Sequence, residues 1–228
     1  MNKLNIPVIT IDGPSATGKG TLAASLAAHL GFHLLDSGSL YRILGVAVAR
    51  AGLSLDEPEV IAQLARNLDI QFGLHGSGSV ALDGEDVSIV IRTDLGSDMA
   101  SKVGAIPAAR EALLDRQLAF RQGPGLVADG RDMGTVVFPD ASVKFYLTAS
   151  TEARAQRRYK QLLDKGIDAI FLALLQELDE RDKRDRNRSV SPMQPASDAI
   201  VIDTTELGRS EVMEQVLSWV KEALAREP

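Results

Sequence analysis

VITID-GPSATGKGT, residues Val8 to Thr21, decides the fold that we predict for this chain. The first part is apolar and largely β-branched, as a buried parallel strand requires. Three glycines follow within eight residues, and then leucines at positions 22, 26 and 30 stand among strong helix formers. This order of strand, glycine loop and helix lets backbone N–H groups point at an anion. The stretch is therefore predicted to bind a nucleotide phosphate.

The loop fits the spacing G-x-x-x-x-G-K of a phosphate-binding loop. Gly20 separates Lys19 from the hydroxyl of Thr21, and this K-G-T order resembles the variant found in nucleoside monophosphate kinases. The alternative is an ordinary turn that leads into a helix. The residues predicted to hold the phosphates of ATP are Gly13, Pro14, Ser15, Ala16, Thr17, Gly18, Lys19, Gly20 and Thr21.

Composition limits the classes of protein to which the chain can belong. With 228 residues, 45% of them apolar and 25% charged, it is long enough for one core and an insertion. A net charge of −6 argues against a nucleic-acid polymer as partner, so a substrate phosphate must be held by a local cluster of arginines. The absence of cysteine excludes disulfides and thiolate metal sites. No apolar run suits a membrane span or a signal peptide, so we expect a cytoplasmic enzyme without a membrane partner.

Strands and helices alternate along most of the chain. Further strands are predicted at Phe32–Asp36, Leu126–Asp129, Val143–Leu147 and Ala199–Asp203. Five strands that alternate with helices predict an α/β fold with a parallel sheet.

Residues 69–103 differ from the rest of the chain. Short runs in which apolar residues alternate with other residues stand beside turn signals at Gly76–Gly78 and at Asp83-Gly84. We predict a small antiparallel β insertion there, over the nucleotide crevice. Residues 1–68 and 104–228 are then the core of the fold.

Two further turns carry chemistry at the ends of predicted strands. The stretch from Asp36 to Arg42 places small hydroxyls, a glycine, a tyrosine and an arginine at a helix start, which suits a second phosphate. The alternative is a helix cap with a surface arginine. Asp129 closes a strand at a position where a carboxylate can hold Mg²⁺, and Arg131 and Asp132 follow it. The alternative there is a salt bridge within a loop.

Two helices are predicted to carry arginines. The helix that Ser150 caps contains Arg154 and Arg158 and extends to about Gly166. The next helix ends in a charged run in which helical spacing would place Arg181, Asp185 and Arg188 on one face. A solvated, salt-bridged helix face is the alternative for that run.

Taken together, these motifs resemble those of the bacterial cytidylate kinases of the long type, over almost the whole chain. The resemblance rests on Gly13–Thr21, Asp36–Arg42, Ile91–Thr93, Ala128–Gly134 and Arg181–Arg188. It implies a P-loop kinase fold and transfer of the γ-phosphoryl group of ATP to CMP or dCMP, with Mg²⁺ bound to ATP. Ala16 departs from the pattern, since such loops commonly have glycine there; we expect an ordinary backbone angle at this position.

The resemblance also implies roles for individual residues. Catalytic cations would be Lys19, Arg131, Arg158 and Arg188, and the metal would be held by Thr21 and Asp129. Contacts around the CMP phosphate would come from Ser37, Tyr41, Arg42, Arg92, Arg131 and Arg188. The sugar would lie near Arg181 and Asp185, and the cytosine edge near Ser101, Arg110 and Asp132. A lid at about residues 150–168 would carry Arg154 and Arg158.

Two other functions compete with this interpretation. A related small-molecule kinase with the same core could act on another monophosphate or on a non-nucleotide acid. A regulatory nucleotide switch would instead need an Asn-Lys-x-Asp tetrapeptide, which the chain does not contain. The switch would also leave the arginines between 181 and 188 without a role. We expect the protein to be a monomer.

Overall fold

The computed structural model describes residues 6–72, 74–75, 79–164 and 166–226. These residues form two compact units: the first contains residues up to Asp36 and from Leu118 onwards, and the second contains Ser37–Gln117. The turn predicted at Gly76–Gly78 lies outside the described residues.

The elements alternate as the sequence predicts. The strands are β1 (Val8–Asp12), β2 (His33–Asp36), β3 (Ile70–Phe72), β4 (Val80–Leu82), β5 (Glu85–Asp86), β6 (Leu126–Gly130), β7 (Val143–Thr148) and β8 (Ile200–Asp203). The helices are α1 (Lys19–Leu30), α2 (Ser37–Arg50), α3 (Pro58–Asn67), α4 (Asp94–Val103), α5 (Pro107–Leu118), α6 (Thr151–Leu163), α7 (Phe171–Arg186) and α8 (Arg209–Arg226). A 3₁₀ turn at Val90–Arg92 and a single-turn π-helix at Met133–Val137 complete the set.

The first unit is built on a parallel sheet of five strands in the order β2-β6-β1-β7-β8. The predicted five-stranded parallel sheet is therefore confirmed. The strand that precedes the glycine loop lies at the centre, and all five of its residues are buried. The register brings Asp12 beside Gly130 and Asp36 beside Asp129, so polar residues gather at the carboxyl edge of the sheet. Ligands bind at this edge in open α/β sheets.

Helices α1 and α8 cover the sheet of the first unit with apolar side chains. Ile9, Ile11 and Phe145 from the strands are almost completely buried against them. On α1 the leucines at 22 and 26 face this core, and on α8 the valines at 212, 216 and 220 do so. Spacings of four residues place these side chains on one stripe of each helix. The core thereby fixes where α1 begins, at the end of the glycine loop.

The second unit contains an antiparallel sheet in the order β3-β4-β5. Asp83 and Gly84 connect its last two strands, with φ of +52° and +80°. Two left-handed residues in a two-residue loop match the twist of the flanking strands, which confirms the predicted hairpin turn.

The second unit extends well beyond the insertion predicted at 69–103, because α2, α3 and α5 share one core with the small sheet. Ile43, Ile61, Leu82 and Leu113 all belong to this core. Helix α2 begins at Ser37, earlier than the apolar run alone indicates, and α4 begins at Asp94 after the 3₁₀ turn. Among the helices that the structure describes, none combines the length and the apolar character needed to cross a membrane.

Candidate functional site

The glycine loop between β1 and α1 has the backbone of a phosphate cradle. Gly13 has φ of +142°, and a Cβ placed on it would lie 2.1 Å from the carbonyl oxygen of Leu147. Only glycine fits at that point. Gly18 caps α1 with φ of +96°, which again suits glycine best. The loop therefore leads the chain directly onto the N-terminus of α1, where unpaired backbone N–H groups attract anions.

Ala16 does not have the ordinary backbone angle that we expected. Its φ is +62°, in the left-handed region, so the expectation was wrong. A Cβ in this region approaches the following carbonyl oxygen and costs about 1–2 kcal/mol. The rest of the loop must hold this conformation in place.

We predict that Ala16→Gly stabilises the protein by about 0.5–1 kcal/mol, because the relief of strain exceeds the greater entropy that glycine loses on folding. Urea unfolding without nucleotide would measure this change. Gly18→Ala is the matched control and should destabilise by about 1 kcal/mol. Among the described residues no atom lies within 4 Å of its added Cβ, so backbone strain alone acts there. A less stable Ala16→Gly variant would contradict the assignment of strain.

Lys19 is held at the start of α1 by oxygen atoms of the first unit. Its Nζ lies 3.3 Å from the carbonyl oxygen of Pro14 and 3.8 Å from Oδ1 of Asp129. The side chain is only 11% exposed. Burial, with the charge of Arg131, lowers the pKa of Lys19 to about 8, although Asp129 acts in the opposite direction. A lysine in this state gains most from an incoming anion, since the anion restores its favoured charged form.

Asp129 faces the phosphate loop. A Cβ on Gly20 would be 3.1 Å from Oδ2 of Asp129, so this carboxylate approaches the K-G-T segment closely. Thr21 is exposed in the first turn of α1. A carboxylate and a hydroxyl are the hard oxygen ligands that Mg²⁺ prefers, with substrate phosphates as the remaining ligands. Among the described residues, no group of three or more His, Cys, Asp or Glu side chains could hold a metal ion.

Arg131 connects the turn after β6 to the phosphate loop and to α7. Its Nε donates to Asp185 over 3.0 Å, and its Nη2 donates to the hydroxyl of Ser15 over 2.7 Å. Nη1 donates to the carbonyl oxygen of Gly130. Arg188 pairs with the other oxygen of Asp185. Two arginines are thus held side by side by one carboxylate that is almost completely buried.

Helix α7 ends at Arg186, so the predicted helical face does not extend to Arg188. Arg188 reaches Asp185 from the turn beyond the helix instead. Burial alone would raise the pKa of Asp185, but the charges of Arg131, Arg188 and Arg181 outweigh it and lower the pKa to about 2. The carboxylate therefore stays ionised and keeps these arginines in place. The charged run is not a solvated helix face at this position.

Arg154 lies in the interior of the first unit and not on the exposed surface of a lid. It is 1% exposed and pairs with the buried Asp182 over 2.7 Å. Its remaining N–H groups donate to the carbonyl oxygens of Ala149 and Ser15 and to the hydroxyl of Thr151. This side chain joins α6, α7 and the phosphate loop.

Arg157, which the sequence places on the same predicted helix without a role of its own, also contacts the phosphate loop. It donates to the carbonyl oxygen of Thr17 and to the hydroxyl and carbonyl oxygens of Thr204. Arg158, the predicted lid residue, is half-buried on the same helix. Neither Arg157 nor Thr204 has a motif of its own. Thr204 could have been found from its place directly after β8, because ligand-binding residues follow the carboxyl ends of parallel strands.

Asp12 is a second residue that sequence reasoning missed. It is buried at the end of β1, where its two carboxylate oxygens accept the N–H groups of Met133 and Gly134 over 2.9 and 2.8 Å. Burial raises the pKa of Asp12 to about 7 against these hydrogen bonds. The carboxylate fixes the turn that contains Asp132, which is itself only 2% exposed.

A cavity of about 1080 Å³ lies beside the phosphate loop in the first unit. It is lined by residues 16–21 of the loop, by Arg157, Lys160 and Gln161 of α6, and by side chains between Thr204 and Glu214. This volume reaches the upper end of the range for small-molecule sites. The cavity can therefore hold a nucleotide whose phosphates lie on the loop.

The predicted acceptor residues of the second unit lie on α2, α4, α5 and the 3₁₀ turn at Val90–Arg92. At the start of α2, the Ser37 hydroxyl donates to Gln117 over 2.8 Å, and both residues are buried. Arg42 donates to the hydroxyl of Ser39, one turn before it. A hydroxyl and a guanidinium therefore stand in the first turns of one helix.

A second group in this unit surrounds Arg110. The guanidinium carbon lies 5.3 Å from the centroid of the Tyr41 ring, and Nη1 donates to the carbonyl oxygen of Gly104. Ser101 is buried on α4, whereas Arg92 is exposed in the 3₁₀ turn. The structure thus brings Tyr41 and Arg110 together.

A parallel sheet whose central strand ends in a phosphate loop, with buried arginines at the same edge, is the arrangement of a P-loop kinase. The model of the cytidylate kinase family matches residues 9–222. Curated relatives named cytidylate kinase include one from Aeromonas salmonicida (strain A449), 56% identical over 96% of this chain and 95% of the relative. Another, from Klebsiella pneumoniae (strain 342), is 54% identical over 97% of this chain and 98% of the relative. The chain belongs to the cytidylate kinase family, and it is an enzyme.

Likeness to solved structures is weaker. A gluconokinase from Sinorhizobium meliloti 1021 aligns with 97% of this chain and 93% of its own, with 15% identity and a TM-score of 0.47. At these values the likeness adds nothing to the family assignment.

Proposed function

We propose that this protein transfers the γ-phosphoryl group of ATP to CMP or dCMP, which gives ADP and CDP or dCDP. The observation that carries the proposal is the contact between Arg131 and Ser15, because a cation of the proposed acceptor site touches the proposed donor loop over 2.7 Å. The cytidylate kinase relatives support CMP as the acceptor.

The donor phosphates would bind along residues 13–21, with backbone N–H groups and the start of α1 as the anion site. Lys19 would neutralise charge on the β- and γ-phosphates, since its side chain is buried in the same loop. The base and ribose of ATP would occupy the cavity between Arg157 and the segment from Thr204 to Glu214.

The reaction needs no nucleophilic side chain. An oxygen of the CMP phosphate forms a bond to the γ-phosphorus as the bond to the β–γ bridging oxygen breaks, and ADP leaves with that electron pair. Charge spreads over the moving group, so catalysis depends on alignment and on fixed cations. Lys19, Arg131, Arg158 and Arg188 would supply these cations. Because Asp185 holds two of them in advance, little reorganisation is needed during the reaction.

Mg²⁺ fits the oxygen ligands at this position. Thr21 and Asp129 would hold it together with phosphate oxygens, directly or through water. When bound, it neutralises charge on the β- and γ-phosphates. Asp129 also lies beside Lys19, so the same carboxylate orients the cation of the loop.

We assign the acceptor nucleotide to the residues that the family resemblance implies. We assign its phosphate to Ser37, Tyr41, Arg42, Arg92, Arg131 and Arg188, its sugar to Arg181 and Asp185, and its base to Ser101, Arg110 and Asp132. Residues 69–103 would serve as the monophosphate-binding insertion, and residues 150–168 as the lid. The cytoplasm is the proposed compartment, and a monomer is the proposed state.

A coupled assay of ADP formation tests this function. ATP and Mg²⁺ are supplied with CMP, dCMP, UMP, AMP and GMP in turn, and we expect the two cytidine nucleotides to give the highest kcat/KM. Equal or higher values with another monophosphate would favour the related small-molecule kinase instead. ATP binding without transfer to any acceptor would favour the regulatory switch.

We also predict that ATP binding at pH 8 takes up about half a proton. The free protein has Lys19 with a pKa lowered to about 8, so about half of the side chains are uncharged there. Bound phosphate raises this pKa again, and the missing proton comes from the buffer. Isothermal titration calorimetry in two buffers with different ionisation enthalpies measures the uptake. Lys19→Met should abolish it, whereas equal uptake by both proteins would contradict the assignment to Lys19.

A further inference from the structure

The phosphate loop presents its N–H groups to an anion only if its carbonyl groups point elsewhere. In a trans peptide the N–H of one residue points opposite to the C=O of the residue before it. The direction of the Ser15 carbonyl therefore sets that of the Ala16 N–H, and the direction of the Thr17 carbonyl sets that of the Gly18 N–H. What binds these two carbonyls determines how well the anion site is preformed.

Side chains from outside the loop bind both carbonyls. Arg154 donates to the Ser15 oxygen over 3.3 Å. The Thr17 oxygen lies 3.4 Å from Nη1 of Arg157 and 3.3 Å from the hydroxyl of Thr204, whose single proton is shared between this oxygen and the carbonyl oxygen of Thr148, 3.1 Å away. In the described residues, the other carbonyl groups of the loop have local donors. The Pro14 oxygen accepts from Thr17 and Lys19, and the Gly18 oxygen accepts from the backbone N–H of Leu22 in α1.

Arg157 and Thr204 form one rigid unit at this position. Nη1 of Arg157 donates to the Thr204 hydroxyl over 3.1 Å, and Nη2 contacts the carbonyl oxygens of Thr204 and Thr205. The backbone N–H of Thr204 donates to Thr148 at the end of β7 over 2.8 Å. Thr204 is 2% exposed and Thr17 is 3% exposed. The Thr17 carbonyl is thus tied through these two side chains to the sheet itself.

This support also acts around the left-handed Ala16. A strained residue persists only when the surrounding structure over-determines its conformation. Arg154 holds the peptide directly before Ala16, while the pair of Arg157 and Thr204 holds the peptide one residue further along, after Thr17.

We propose that Arg157 and Thr204 are positioning residues of the phosphate loop, which hold the Thr17 carbonyl so that the Gly18 N–H points into the anion site. This inference rests on the proposed donor role of the loop. It differs from a lid role, in which an arginine touches the transferred group, and from a role in binding the base. The three roles predict different losses of binding.

The test measures binding of two probes that lack the γ-phosphate in the absence of CMP. In Arg157→Gln we expect the dissociation constants of ADP and of pyrophosphate, the latter measured by displacement of bound ATP, to rise by the same factor, about tenfold. Thr204→Val keeps the shape but removes the hydroxyl, and should raise both by about threefold to tenfold. Thr204→Ser keeps the hydroxyl and should restore both values.

Lys183→Gln is the matched control, because it removes one positive charge from an exposed position on α7, where the side chain pairs with Asp179 over 2.7 Å. It should leave both constants unchanged. Loss of ADP affinity with unchanged pyrophosphate binding would show that Arg157 binds the base, and would overturn the proposal. A lower kcat with both constants unchanged would show a lid role and would overturn it equally.

Thermal unfolding without ligand shows whether each variant is folded. If Arg157→Gln does not fold, the binding constants of Thr204→Val provide the test. Neither probe depends on the acceptor. A failure of this proposal is therefore distinguishable from an inability of the wild-type protein to phosphorylate CMP.

Discussion

Lys19→Ala is expected to lower kcat for phosphoryl transfer to CMP by at least about a hundredfold, in a protein that remains folded. The ammonium lies in the phosphate loop, and in the proposed mechanism it would neutralise charge that grows on the β- and γ-phosphates as the bond breaks. Alanine leaves that charge without a partner in a site from which water is largely excluded. Steady-state kinetics at saturating ATP and CMP measures the loss.

The structure changes one part of this expectation. From the sequence we would place Lys19 in solvent before ATP binds, yet its side chain is 11% exposed, and burial lowers its pKa. Loss of the side chain therefore removes an unfavourable burial of charge, and the unliganded variant should not melt below the wild type. Lys221→Ala, an exposed change on α8, controls for the loss of one positive charge. Near-normal turnover of Lys19→Ala would contradict the assignment of residues 13–21 as the loop that binds the phosphates of ATP.

The second large effect concerns the base. We expect CMP to be preferred over UMP by on the order of a hundredfold or more in kcat/KM. Cytosine offers an amino donor at position 4 and acceptors at N3 and O2, whereas uracil offers an acceptor at position 4 and a donor at N3. A carboxylate at Asp132 can accept from the amino group, and Arg110 can donate to N3 or O2. Each mismatch with uracil leaves a polar atom buried and unpaired, at about 1–3 kcal/mol.

Asp132→Asn tests this assignment. The amide can donate to the uracil carbonyl, so the ratio of kcat/KM for CMP to that for UMP should fall, mainly through lost activity on CMP. Asp132 is 2% exposed and begins the π-helix, so thermal unfolding must accompany the kinetics. Asp115→Asn, on the exposed surface of α5, is the matched control. If the ratio of kcat/KM for CMP to that for UMP is unchanged in a folded Asp132→Asn protein, Asp132 does not recognise the base. We would then assign it a metal-binding or structural role beside Asp129.

Local sequence was enough to predict the sheet and the loop. The β-branched run predicts the strand, the spaced glycines predict the loop, and the leucine stripe predicts the helix. Each of these signals depends on residues that are close together in the chain. The hairpin at Asp83 and Gly84 follows for the same reason, since only those two residues must adopt a positive φ. The motifs at the strand ends predicted a phosphate site, because ligands bind at one edge of a parallel sheet, and their resemblance to the motifs of cytidylate kinases indicated the family.

Only the tertiary structure decided how the site is supported. Arg154 meets Asp182 across 28 positions, and Thr204 meets Thr17 across 187, so no periodicity could pair them. Periodicity tells which face of a helix is buried but not which atoms it meets. For that reason the arginines of α6 were expected on a lid, while two of them bind the carbonyl groups of the phosphate loop. The strain at Ala16 has the same origin, since contacts with residues far along the chain hold a backbone angle that its own sequence disfavours.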